Sequence, residues 1–357
     1  FSSGLMPPRL LTGSVLVFSS VAVAFSMTVD ERRCNPTSPL SHVAIVGGTH
    51  GNERMGLALL KEWQATPPKS TFQLSLVLAN EKAAEATGTG AGRRYVDVDL
   101  NRCFALTDLT REGVPEAGEE RRAREIDALL GPKSSPNPKC DLILDLHSTT
   151  ANTGVLLCVH PKDTFALQLA AHLTSLDPEV RIALWPNVDD VPLLPTVARS
   201  GMTVEVGPCA HSTVVSTLLH KTRKLILDAL AYVELHNKCC ADPGAALKTN
   251  IPLSTYARVH TLDYPQRNGD IAAYIHPALQ GVRELDVPLK ESDAVFEGTD
   301  GSSITLREAL AMNAPSPHVT EQPLYPMFVN EAAYYEKGIA FMVAHRRVED
   351  VTVWKDP

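Results

Sequence analysis

No G-x-x-x-x-G-K-[ST] run occurs in the chain, so a phosphate-cradling nucleotide loop of that kind is excluded. No stretch of lysine and arginine is long enough to track a nucleic-acid backbone, and the formal net charge of -8 offers polyanions no long-range attraction. Nucleic acid is therefore not expected as a partner. The seven cysteines (Cys34, Cys103, Cys140, Cys158, Cys209, Cys239 and Cys240) contain no C-x-x-C pair, which removes zinc-knuckle and dithiol redox motifs. Their odd number and irregular spacing do not suggest a disulfide framework, so reduced, buried thiols in a cytoplasmic protein are expected. No internal repeat is present. With 44% apolar and 21% charged residues, the composition is that of a soluble globular chain. Its 357 residues suffice for one large core or two smaller ones.

Leu10 to Met27 (LLTGSVLVFSSVAVAFSM), following Arg9, is apolar enough to resemble a signal or transit segment. It is short for a membrane span and interrupted by hydroxyl residues, and no membrane association is expected. Residues 1–41 are read as an N-terminal extension, with residues 1–26 untranslated, cleaved or disordered. That segment leaves organelle targeting or secretion as the alternative to the cytoplasm.

From His42 the pattern becomes that of an α/β sheet. HVAIVG ends in a glycine-rich turn, and a helical pattern follows from Met55 to Trp63. Phe72 to Leu78, Asp141 to Leu146, Gly154 to Val159 and Met202 to Val206 read as strands. Glu120 to Leu130, Phe165 to Ser175 and Val214 to His236 read as helices, the first closed by Gly131-Pro132. Residues 84–92, 110–119 and 131–139 read as loops. Beyond the turn at Cys239 to Ala246, short runs (Leu253 to Thr261, Ile271 to Ile275, Tyr325 to Val329) are separated by Pro, Gly and Asp. A catalytic domain over 42–239 and a smaller β-rich domain over 240–357 are expected.

The chemistry concentrates in four places. His50 and Glu53 form an H-x-x-E pair in the turn after the first strand, and His147 stands at the end of a strand far downstream. Two imidazoles and one carboxylate are a common zinc ligand set that leaves a coordination position open. Neighbouring strand ends of an α/β sheet share one edge, where such residues can meet. The plainer reading, a surface-turn His and Glu with an ordinary strand-end His, suits the H-x-x-E pair taken alone. Glu205 lies inside an apolar strand, where a carboxylate is costly unless paired or used. It is either salt-bridged to an arginine or a general base serving a metal-activated water, its pKa raised by burial. Arg94 could polarise a carbonyl, while Arg102 offers a planar fork to a carboxylate and Asn101 adds a donor. The competing reading is a solvated loop in which Asp97 or Asp99 pairs with arginine; it is preferred for Arg93.

Five blocks then occur in order: G-G-T-H-G-N-E (47–53), R-Y-V-D-V-D-L-N-R (94–102), D-L-H-S-T-T-A-N-T-G (145–154), V-E-V-G-P (204–208) and N-E-A-A-Y-Y-E-K (330–337). Together they resemble the aspartoacylase and aminoacylase-3 family, itself similar to zinc carboxypeptidases, from about His42 to Phe341. The resemblance implies a zinc-carboxypeptidase-like α/β/α domain with a mixed sheet, capped by a smaller β-rich domain, in a homo-oligomer. It implies His50, Glu53 and His147 as ligands of one Zn2+ per subunit, Glu205 as the catalytic base and Arg94 as the carbonyl-polarising residue. Asn101, Arg102, Thr149 and Tyr334 would contact an N-acyl amino acid substrate.

Departures bear on substrate. Aspartoacylase proper carries an arginine ten residues before the base; here that position is Pro195, and Arg199 aligns only with a gap. An acidic side chain would lack its partner, so an apolar or aromatic one is expected. The alternatives are strict N-acetylaspartate hydrolysis, with Arg199 or Lys337 supplying the cation, and a non-catalytic module that binds acylated amino acids. Ser148 stands where the family usually has Asn, the loop from Pro208 to Ser212 differs from the family pattern, and His211 has no family role. Residues 313–322 read as an added loop.

Overall fold

The computed structural model describes residues 38–86, 90–112, 117–244, 247–313 and 317–355. The apolar segment Leu10 to Met27 and Cys34 lie outside the described residues, as do parts of the loops at 84–92, 110–119 and 313–322. Among the described residues no disulfide forms, and no helix is long and apolar enough to cross a membrane.

Strands β1 (His42–Gly47), β2 (Gln73–Leu78), β3 (Leu142–Ser148), β4 (Gly154–Val159), β5 (Val180–Leu184) and β6 (Ser200–Gly207) build the first part of the sheet. Every residue of β1 and β3 is buried, which explains why both read as unbroken apolar runs: helices cover their two faces. On one side lie α1 (Arg54–Ala65), α4 (Thr164–Leu176) and α5 (Ser216–Ala241), contributing Leu59, Trp63, Phe165, Leu169 and Tyr232 to the core. On the other lies α3 (Gly118–Leu130), with Ala123, Ile126 and Leu130 packed against Phe104 and Leu100. A short helix α2 (Glu81–Glu85), capped by the Asn80 side chain, follows β2.

The sheet does not end where the sequence pattern changes. β7 (Leu247–Asp263) pairs in parallel with β5, from Ile182↔Thr255 to Leu184↔Ala257. Two-residue strands β8 (Gln266–Arg267) and β9 (Asp270–Ile271) form a small hairpin, and β10 (Ala273–Ile275), β11 (Ala294–Gly298) and β12 (Ser303–Thr305) form a separate sheet. Helices α6 (Leu306–Met312) and α7 (Ala332–Tyr335) flank β13 (Tyr325–Met327), and the last strand is β14 (Ile339–Lys355). β14 runs antiparallel to β7 over nearly its whole length, giving a nine-stranded mixed sheet ordered β13-β14-β7-β5-β4-β6-β3-β1-β2. The expected α/β/α sheet with a smaller β-rich portion is present, but two of its seventeen-residue strands bind that portion into the main sheet. The smaller portion has its own core, including Phe296, Leu306, Leu310 and Phe341.

Candidate metal centre and substrate cavity

The G-G-T-H-G-N-E turn works because of two glycines. Gly48 has φ +71, and a Cβ on Gly51 would meet the Ala83–Ala84 backbone at 2.2–2.3 Å. The turn therefore folds tightly against α2, so that His50 and Glu53 come back to the end of β1 and face the end of β3. There His147 joins them: ligand atoms of the three buried residues lie within 4.8 Å of one another. Glu53 Oε1 is 2.6 Å from His50 Nδ1, Glu53 Oε2 is 2.9 Å from His147 Nδ1, and the two Nδ1 atoms are 3.1 Å apart.

The outer nitrogens explain why Nδ1 points inward. His50 Nε2 lies 3.0 Å from Asp99 Oδ1, and His147 Nε2 lies 2.8 Å from Asp145 Oδ2. Each Nε2–H donates to a carboxylate, which leaves each Nδ1 lone pair aimed at the shared centre. Thr49 Oγ1 donates to the other oxygen of Asp145 at 2.7 Å, and the Ser148 amide donates to Glu53 Oε2 at 3.0 Å. Two ring lone pairs and a carboxylate converging under burial repel one another unless a cation sits among them. The titration behaviour reflects that demand: burial opposes a charged His147, yet Asp145 and Glu53 outweigh it and hold its pKa well above the usual value. Burial likewise pushes Glu53 up, but His50 and His147 outweigh it and hold it well below the usual carboxylate range. Donor atoms of a tetrahedral zinc site, with bonds of about 2.0–2.1 Å, stand about 3.3 Å apart. The residues present fit such an ion with small adjustments.

Glu205 is in direct register with His147 across the β6–β3 ladder, so both side chains project from the same face on adjacent strands. Its carboxyl keeps a partly open side onto a cavity and is otherwise packed in protein; burial pushes its pKa up to about 8, with His147 opposing and Glu53 and Glu331 adding. No arginine ion pair to Glu205 is present among the described residues, which removes its structural alternative. Arg94 instead donates from Nη1 to Glu53 Oε1 at 3.2 Å and from Nη2 to Asp99 Oδ2 at 3.2 Å, while its buried Nε has no hydrogen-bond partner. The Arg–Asp pair weighed from sequence thus forms, with Asp99, but inside the site. Asp97 serves elsewhere, accepting from the Gly118 amide.

The cavity holds 590 Å³, and His50, Arg94, Asn101, Arg102, Glu205 and Tyr334 all line it. Asn101 Oδ1 accepts from the Leu194 amide at 2.9 Å, which leaves its side-chain NH2 as a donor and anchors the loop whose Val191, Pro192 and Leu193 form a wall. Burial pushes the Tyr334 phenol up to about 12, so it stays an O–H donor. Pro195 is buried in a short helical turn, and Arg199 is ion-paired with Asp141 outside the cavity. Lys337 Nζ lies 5.9 Å from the centre of the Tyr334 ring.

Thr149 is not among the residues lining this cavity: its hydroxyl donates to Glu331. Glu331 itself went unrecognised in the block that supplied Tyr334. Its Oε2 also accepts from Thr150 N, Thr150 Oγ1 and Ala151 N at 2.8, 3.0 and 3.2 Å, and its Oε1 accepts from Ala333 N at 3.1 Å. Glu331 therefore clasps the loop after His147 to α7, which carries Tyr334. His211 Nε2 lies 3.5 Å from Glu331 Oε1, so the altered loop after Pro208 leans on the same clasp. Asp145 was also missed, although its spacing two residues before His147 on one strand already put both on one face.

Replacing Asp145 with Asn should weaken zinc binding about 10–100-fold, because the His147 ring loses the carboxylate that fixes its orientation. Competition with a chromogenic chelator measures this, and an unchanged affinity would remove Asp145 from the site.

Comparison with known proteins places this geometry. Residues 39–233 match the succinylglutamate desuccinylase/aspartoacylase catalytic domain, and residues 308–346 match the barrel-sandwich hybrid domain of the same group. A protein named "Probable aspartoacylase" from Nostoc sp. is 37% identical over 313 residues, 87% of this chain and 97% of that one. The N-acyl-aromatic-L-amino acid amidohydrolase (carboxylate-forming) of Homo sapiens is 35% identical over 316 residues, 86% of this chain and 91% of that one. The crystal structure of murine aminoacylase 3 superposes with a TM-score of 0.77 at 31% identity, covering 90% of this chain and 99% of that one.

Proposed function

Because the chain belongs to the succinylglutamate desuccinylase/aspartoacylase family, we propose that it is a zinc-dependent amidohydrolase that deacylates small N-acyl, chiefly N-acetyl, amino acids with apolar or aromatic side chains. The observation that carries the reading is the register of Glu205 with His147: an unligated buried carboxylate beside a His–Glu–His donor set. One Zn2+ per subunit, held by His50, Glu53 and His147, would supply the Lewis acidity that makes a water molecule reactive near neutral pH.

The chain's own residues do the rest. Glu205 takes the proton of the attacking water and returns it to the leaving nitrogen, which its raised pKa suits it to do. Arg94, fixed by Glu53 and Asp99, donates to the acyl oxygen as negative charge builds there. Arg102 and the Asn101 amide hold the substrate's α-carboxylate, and Tyr334 closes over it from the C-terminal part. The products are a carboxylate and a free amino acid. Trp185, Phe328, Leu193 and Met342 give the cavity an apolar wall for the side chain. The homo-oligomeric state and the cytoplasmic compartment belong to the same proposal.

Strict N-acetylaspartate hydrolysis is disfavoured because, of the two cations it would recruit, Arg199 is already bonded to Asp141 and Lys337 does not line the cavity. A non-catalytic binder is disfavoured because it would have no use for a second buried carboxylate whose pKa burial raises to about 8, where it can take up and release a proton near neutral pH. The test is zinc analysis with kcat/KM on N-acetyl-L-tyrosine and N-acetyl-L-aspartate. We expect stoichiometric zinc and a preference for the aromatic substrate of at least about tenfold. The reverse order would sink the side-chain preference, and zinc-loaded protein inert on all N-acetyl amino acids would sink the function.

A further inference from the structure

The cavity carries more positive charge than the reaction above uses. Among the described residues, its lining holds four arginines, Arg94, Arg102, Arg258 and Arg347, against one carboxylate, Glu205. Such a balance is unexpected in a chain of formal net charge -8. Arg94 is paired with Glu53 and Asp99, and one substrate carboxylate needs one fork, that of Arg102. Arg258 and Arg347 are exposed, and the side chain of neither forms an ion pair or hydrogen bond among the described residues.

The sheet register shows where Arg258 stands. Thr203 pairs with Cys158, Cys158 with Ala183, and Ala183 with Tyr256, a row that crosses from β6 to β7. Arg258 follows Tyr256 by two residues, so it projects from the face that carries Glu205, beyond the point where the ladder with β5 stops at Ala257. Three strand spacings across and four residues along put the two Cα atoms about 20 Å apart. With both side chains leaning toward each other, about 4 Å for Glu205 and about 6–7 Å for Arg258 bring carboxylate and guanidinium to about 10 Å at their closest. The ground between is apolar: Cys158, Ala183, Trp185, Phe328 and Met342. The β-carboxylate of aspartate is too short to cross it. A para-substituted tyrosyl side chain, about 9 Å from Cα to the oxygens of a terminal phosphate, is long enough.

We propose that Arg258 forms a distal oxyanion subsite, so that N-acyl amino acids with an apolar or aromatic side chain ending in an anion are preferred substrates. The inference rests on the amidohydrolase reading of the same cavity. A phosphate, sulfate or carboxylate would share the recognition chemistry, with planar forks donating to oxygen atoms after an apolar stretch has been buried.

The test compares kcat/KM for N-acetyl-L-tyrosine, N-acetyl-O-phospho-L-tyrosine and N-acetyl-O-sulfo-L-tyrosine in zinc-loaded wild type and in Arg258→Gln, Arg258→Lys and Arg347→Gln. The quantity read is the ratio of each anionic substrate to the plain one. In wild type the ratio should exceed unity, and Arg258→Gln should lower it at least about fivefold, the scale of one solvent-facing charge pair. Arg258→Lys should retain part of it, which separates lost charge from misfolding, and Arg347→Gln should lower it less, because Arg347 pairs with Thr255 and projects from the opposite face of the sheet. A response to both anions supports a general oxyanion site, and a response to phosphate alone supports one tuned to a dianion. Hydrolysis of all three substrates in a ratio that Arg258→Gln leaves within twofold overturns the subsite while leaving the amidohydrolase reading intact. Hydrolysis of none of them overturns both.

Discussion

Glu205→Gln is expected to lower turnover by about a thousandfold while leaving zinc content at its original level. The amide keeps the shape of the carboxyl but cannot accept the proton of water or return it to the leaving nitrogen. Glu205 is not in the donor set of His50, Glu53 and His147, so the ion should stay. Elemental analysis and a deacylation assay decide it; activity within a few fold of the parent rejects the base assignment. The same variant carries a stability signature in the metal-free protein. Burial raises the folded-state pKa of Glu205 from 4.5 to about 8. The folded chain therefore holds a proton that the unfolded chain releases, and the contribution to stability is full below 4.5 and lost as pH rises through about 8. The glutamine cannot ionise, so the melting temperature of Glu205→Gln should gain on that of the parent between these limits. A constant difference across the window would mean that the carboxyl does not titrate as its surroundings require.

His147→Ala should release the zinc and destabilise the fold. The variant removes one ring from the trio and leaves Glu53 and Asp145, both buried, each short of one partner. Breaking a buried charged contact on one side costs about 3–5 kcal/mol. We expect zinc near background by elemental analysis, and a melting temperature that a chelator no longer lowers, whereas wild type should fall on chelation. Retained stoichiometric zinc would reject the ligand set.

The parts of the candidate site legible in sequence are those that lie in contiguous motifs. His50 and Glu53 share one turn, and His147 and Glu205 each end or occupy an apolar strand; the first three converge, and Glu205 stands in register with His147. The supporting carboxylates were harder to see. Asp99 read as an arginine partner and is one, but its second oxygen orients His50 from across the loop, a contact that no sequence spacing announces. Glu331 reaches back 182 residues to Thr149, and only the packed structure joins them. The resemblance implies a substrate contact for Thr149, whereas its hydroxyl turns to that clasp.

The α/β half of the fold was legible because fully buried strands leave long apolar runs. Val180 to Leu184 escaped notice because it is short and Arg181 interrupts it. β7 runs from Leu247 to Asp263, whereas only Leu253 to Thr261 has the pattern of a strand. Its first four residues, Leu247 to Asn250, are exposed and earn their ladder from β14 rather than from a core.

The pairing of β14 with β7, and of β7 with β5, resists any division of the molecule. A cut at 239/240 would not liberate a self-sufficient enzyme half, for β5 would be stripped of its neighbour and left as a raw border of unmet amides and carbonyls. The same cut would carry off the tyrosine and the glutamate clasp, so the two segments share one foundation and should be inherited, expressed and lost together.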